Sequence, residues 1–202
     1  MRLAKDLVGK PIYTIEKGQL LGKVKDIYLD ENLYWMTGIY LGSEGMFRRK
    51  ENLIPRKSVA IFGIDAILVR GEDVVTDNRT HDTNGWQKLS KLRGRAIDTP
   101  GGTRLAAVGD VILDGEGHIT GFALSKVSID GPIARDKAIS REVVIDNGNQ
   151  DGVMTIDLGR AEQLGLPAEK PYNPTESDED VTTAKEPAAE SATDKTSTPE
   201  SD

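Results

Sequence analysis

Two stretches of the chain repeat one pattern, and this repetition constrains the fold more than any other feature. The first is Gly22-Lys-Val-Lys-Asp26-Ile-Tyr-Leu-Asp30, a turn, then Thr37-Gly38-Ile-Tyr-Leu41. The second is Ala106-Ala-Val-Gly-Asp110-Val-Ile-Leu-Asp114, a turn, then Thr120-Gly121-Phe-Ala-Leu124. Each reads as a β-hairpin, with apolar runs on either side of a short polar turn. The repeat extends outward. Leu7-x-Gly9 matches Leu92-x-Gly94 at an offset of 85, and Gly38 matches Gly121 at an offset of 83. A drift confined to turns is what a duplicated unit produces.

Both hairpins break their alternation at the same place. Val24 is even while Ile27 and Leu29 are odd; Val108 is even while Val111 and Leu113 are odd. A side-chain period of two changes phase only where an extra residue enters the strand, which predicts a β-bulge near Lys25-Asp26 and near Gly109-Asp110. Small barrels use such bulges to bend a strand around a corner.

The flanking segments follow the same duplication. Leu3 to Leu7 reads as one helical turn and Gly9 to Thr14 as a strand. Val59–Phe62 and Ala66–Val69 are matched by Val143–Ile145 and Val153–Ile156, the latter pair around the turn-forming Asn147-Gly148. Between the copies, Gly71 to Ser90 is polar until Trp86-Gln-Lys-Leu89, read as a short helix leading into the second copy. Asp157 to Leu166 reads as a terminal helix or an extended cover. From Ala168 onward the composition falls to Glu, Asp, Ser, Thr, Ala and Pro, too little apolar surface to offset the entropy of ordering, so disorder is expected. The organisation expected is a first domain over 1–70, a linker with a lead-in helix over 71–91, a second domain over 92–167 and an acidic tail over 168–202.

The net charge of −7 belongs to that tail, which holds 10 acidic and 3 basic residues. The rest of the chain carries 23 acids and 23 bases, so it has no general attraction for nucleic acid. There are no cysteines, which excludes disulfides, thiolate metal sites and cysteine nucleophiles. No apolar run approaches the roughly 20 residues of a membrane span. The N-terminus has no apolar core of a signal peptide, and a cytoplasmic location is the expectation.

Leu-x-Gly, an extended strand, then Gly-x-Val-x-Asp, three apolar residues, Asp, a turn and Thr-Gly resembles the PRC-barrel domain family, which takes its name from the photosynthetic reaction centre H subunit. The first copy carries the pattern as Leu7, Gly9, Gly22, Val24, Asp26, Asp30 and Gly38. The second carries it as Leu92, Gly94, Val108, Asp110, Asp114 and Gly121, with Ala106 at the first glycine position. The resemblance implies an all-β fold of two small bent antiparallel β-barrels in tandem, packed against each other. It also implies an adaptor that docks on protein or RNA, not a catalyst. The chain lacks the membrane helix of the H subunit and the extra N-terminal domain of the ribosome maturation factor, so neither activity transfers whole.

The candidate sites are few. The repeated Asp26, Asp30, Asp110 and Asp114 invite a metal or acid–base reading, but Asp at bulges and turns more often caps local backbone. Asp114-Gly-Glu116-Gly-His118 lacks EF-hand spacing. His81 and His118 lie in different segments with no nucleophile paired to them. No cofactor is expected. Arg48, Arg49 and Lys50, beside Met46 and Phe47, form a modest basic cluster, with Arg56 and Lys57 close behind. Tyr28, Tyr34, Trp35 and Tyr40 of the first copy stand where the second has Ile112, turn residues and Ala123. Aromatics on an outer face mark interfaces. These residues are expected to form a partner surface or the contact between the copies. A protein partner or a second copy is the partner expected first, with RNA and a peripheral membrane surface as alternatives.

Overall fold

The computed structural model describes residues 1–44 and 50–164. The expected tail from Ala168 and the segment from Met46 to Arg49 lie outside the described residues. The chain is mostly strand. The first half contributes β1 (Arg2–Leu3), β2 (Pro11–Thr14), β3 (Leu20–Lys23), β4 (Asp26–Leu29), β5 (Met36–Glu44), β6 (Lys50–Pro55), β7 (Val59–Phe62), β8 (Ile67–Val69) and β9 (Thr76–Asp77). From the second half come β10 (Gln87–Lys88), β11 (Ala96–Asp98), β12 (Arg104–Leu113), β13 (Ile119–Ser125), β14 (Ala138–Ser140), β15 (Val144–Asp146) and β16 (Val153–Ile156). Helices are short: α1 (Leu89–Leu92), α2 (Pro132–Asp136) and α3 (Leu158–Leu164), with a 3-10 turn at Ala4–Leu7. The helix expected from Trp86 begins instead at Leu89, because Gln87 and Lys88 pair as strand with Leu29 and Tyr28.

The second half forms one sheet in the order β14-β13-β12-β11-β16-β15, with β1 added on β12. The first half divides the same arrangement in two, β10-β4-β5-β6-β9 and β3-β2-β8-β7. The division falls at the expected phase break. In β12 the register shifts between Val108 and Asp110, a bulge at Gly109. There a Cβ would lie 3.2 Å from the Ala123 and Leu124 backbone. The first half has Lys25 at this place, and β3 and β4 separate on either side of Val24-Lys25. A side chain at the Gly109 position would press on that backbone, and where Lys25 stands the strands separate, so the corner that one half bends, the other half breaks.

The halves exchange their leading segments. Arg2 and Leu3 pair with Leu113 and Ile112 of the second half. Gln87 and Lys88 pair with Leu29 and Tyr28 of the first. Gly9 N–H donates to Val24 O (2.8 Å) and Gly94 N–H to Val108 O (2.7 Å), the same bond in each half. The two hairpin turns also meet. Met36 N–H donates to Gly117 O and Ile119 N–H to Tyr34 O, both at 2.8 Å, around a bridge between Trp35 and His118. One hydrophobic cluster therefore spans both halves, from Leu7 and Ile27 to Val108 and Phe122, and the described residues fall in one compact unit.

Candidate functional site

The four repeated carboxylates are occupied by backbone. Asp26 Oδ1 accepts from Ile27 N–H (2.8 Å) and from Ser90 N–H (3.3 Å) at the start of α1. Asp110 Oδ1 accepts from Val111 N–H (2.8 Å) and from Lys5 N–H (3.2 Å) in the first 3-10 turn. Asp26 and Asp110 thus each hold the leading turn of the opposite half. Burial pushes the Asp110 carboxyl above its ordinary value, against the pull of those N–H donors. Asp30 Oδ1 accepts from Tyr34 and Trp35 N–H, closing the first hairpin turn. Asp114 Oδ1 accepts from the N–H groups of Glu116, Gly117 and His118, and its Oδ2 lies 2.8 Å from His118 Nδ1. Burial alone would raise Asp114, but the His118 contact and the backbone donors outweigh it and hold the carboxyl below the ordinary range. Among the described residues no three His, Asp or Glu side chains gather as metal ligands.

The aromatic set separates into the buried Tyr28 with the half-buried Tyr40, and an exposed pair. Tyr28, expected on the outer face, is 4% exposed. Trp86 and Tyr40 cover it, with ring centroids 5.6 and 5.8 Å away, and its hydroxyl donates to Glu51 at 2.5 Å. Burial first, then the Glu51 carboxylate, pushes its phenol far above the usual range. The Lys88 ammonium lies 3.7 Å from the Tyr40 ring centroid and 2.8 Å from Glu51. Tyr28 and Tyr40 are therefore enclosed by Trp86 and Lys88, two residues that the sequence reading placed in a leading helix. A usable signal lay in the repeat: Lys88 stands where the first copy has Leu3, so the strand contact that is aliphatic at Ile112 becomes cation-on-aromatic at Tyr28.

Tyr34 and Trp35 are different. Trp35 rests on His118 with ring centroids 3.5 Å apart, and Tyr34 carries the Arg141 guanidinium 4.1 Å from its ring. Arg141 also donates to the carbonyls of Asn32 and Leu33, so the turn is pinned from the second half. Even so, Tyr34 is 53% and Trp35 44% exposed. Contact between the halves and an outward surface coexist here.

The basic cluster is dispersed where it can be followed. Met46, Phe47, Arg48 and Arg49 lie outside the described residues. Lys50 Nζ is 3.2 Å from Asp77. Arg56 packs over Phe62, 4.8 Å from its ring, and burial lowers its guanidinium below the usual value. No helix among the described residues is long and apolar enough to cross a membrane. No curated protein matches the chain. Residues 1–80 match the family model of the PRC-barrel domain.

Proposed function

We propose that the protein is a non-enzymatic adaptor built from two PRC barrels in tandem, the second over residues 92–167, and that it docks on a protein partner through the first hairpin turn. The recurrence of strand pairings and caps with the halves exchanged supports reading the second half as a second copy. The observation that carries the docking surface is the pair Tyr34 and Trp35, fixed from below by Arg141 and His118 while half of each ring faces solvent. A rigid aromatic ridge loses little entropy on binding, which is why such side chains dominate interfaces. Engagement of the repeated carboxylates with backbone N–H groups favours a structural role for them over acid–base chemistry.

The test is affinity capture from native lysate, with and without nuclease, using the wild type, Tyr34→Ala and Trp35→Ala. A nuclease-resistant partner weakened by each change, about 2 kcal/mol as at an interface hot spot, supports the proposal. A partner lost on nuclease treatment turns the reading to RNA. An unchanged capture profile from a folded Trp35→Ala protein removes the ridge as a docking surface.

A further inference from the structure

The four-stranded sheet of the first half has a second face, away from the core. Strand register places Leu20, Tyr13, Leu68 and Ile61 side by side across it: Tyr13 pairs with Leu20 and with Leu68, and Leu68 pairs with Ile61. Their strand neighbours Ile12 and Ile67 point the other way and are fully buried. Both ends of the row are open, with Leu20 and Ile61 each 51% exposed, and Ile15 extends the apolar surface beyond Tyr13. The second half supplies an internal control. There the same register gives Arg104, Asp98, Thr155 and Asp146. Arg104 and Asp98 form an ion pair along that row. The fold is built equally well with a polar row, so folding does not require the apolar one. A contiguous apolar sheet face that folding does not require is the mark of an interaction site.

We infer that this face is the contact between two copies of the chain, packed sheet on sheet. The charges at its rim favour self-pairing. Beside the row, Lys23 lies at the β3 edge, opposite Pro11, and Asp65 lies in the turn joining β7 to β8. Both are exposed, and neither makes an ion pair among the described residues. A two-fold axis running along the strands sets Leu20 of one copy over Ile61 of the other and Tyr13 over Leu68. The same operation carries Lys23 of each copy to the Asp65 turn of its mate. An isologous contact needs this self-complementarity, and aligned sheet packing is its ordinary geometry. The surface is separate from the Tyr34–Trp35 ridge, so a dimer leaves that ridge free.

Sedimentation velocity across a concentration series up to roughly 100 μM reads the equilibrium directly. The wild type is expected to dimerise. Ile61→Asp and Leu68→Thr install the residues of the second half and should each raise the dissociation constant by about tenfold or more. Leu20→Arg, at the opposite edge, gives an independent variant, and circular dichroism checks that each is folded. Lys23→Asp should weaken the dimer, and Lys23→Asp combined with Asp65→Lys should restore it. A wild type that stays monomeric overturns the inference, as does a dimer indifferent to Ile61→Asp and Leu20→Arg. Neither result touches the adaptor reading, whose test is the capture experiment at Trp35.

Discussion

The two halves keep the contacts they make with each other and differ almost everywhere else. Both pass a leading strand to the other, both cap the other's first turn with an aspartate, and both insert a hairpin turn at the shared bridge. Away from those contacts the second half keeps one continuous sheet with a polar outer row of Arg104, Asp98, Thr155 and Asp146. The first half breaks that sheet at Lys25 and presents an apolar outer row, and even at the exchanged strand it places Tyr28 where the second half has Ile112. The backbone contacts that hold the halves together recur in both directions, while the side chains on them and the surfaces outside them differ.

The strongest break of this comparison comes at the Thr-Gly step. A Cβ on Gly121 would lie 2.3 Å from Ile139 O, whereas one on Gly38 would lie 3.0 Å from Ile54 O and 3.3 Å from the movable Trp86 ring. Gly121→Ala should therefore cost about 3 kcal/mol or more and Gly38→Ala roughly half that, on the scale of overpacking in a closed site. Urea denaturation of the two variants checks the ranking, and equal losses would mean that the ladders are equally tight.

Next in size are the exchanged caps. Asp26→Ala and Asp110→Ala should each lower stability by about 1–2 kcal/mol, since each strips two backbone donors of their acceptor. Asp110→Asn should cost less than Asp110→Ala, because the amide keeps an acceptor and removes a buried charge. A loss at only one of the two aspartates would break the symmetry of the exchange.

Trp35→Ala tests the shared turn. With nearly half its surface already in solvent, its loss from the His118 contact should cost about 1 kcal/mol, far below what a core tryptophan costs, by thermal or urea melts. Global unfolding would make Trp35 a core residue and deny it the docking role.

The smallest effect is one of pH, and its sign differs between Asp110 in β12 and Asp114 in the turn that follows it. Asp114 is held low in the fold, so its contribution is complete above the ordinary carboxylate range and is lost as pH falls through its depressed folded value. Asp110 is held high, so its burial cost is relieved as pH falls through its raised folded value, before the unfolded chain takes up that proton. Acid titration of urea midpoints for Asp114→Asn and Asp110→Asn should bend the wild-type curve in opposite directions.

Much of this architecture was legible because a repeated local exception is a strong signal. The phase break at Val108 located the bulge at Gly109, whereas the bulge expected near Lys25-Asp26 is instead a break between β3 and β4. Exchange between the halves was not legible. Strand partners far apart in sequence leave no trace in either segment alone, so Gln87-Lys88 read as helix and Tyr28 read as outward. The apolar row was hidden for a related reason: Tyr13, Leu20, Ile61 and Leu68 come from four strands, and only their register makes them one surface.

The exchange of leading strands sets an order of events during synthesis. Arg2 and Leu3 leave the ribosome first, yet their partners Ile112 and Leu113 are made more than a hundred residues later. Tyr28 and Leu29 likewise wait for Lys88 and Gln87. A nascent chain stalled near residue 80 has all of the segment that matches the PRC-barrel family but neither the strand that pairs with Tyr28 and Leu29 nor the turn that Asp26 caps. Such a chain exposes an open sheet edge to chaperones and neighbouring nascent chains. Completion of the first domain is thus a late step, triggered by emergence of the second.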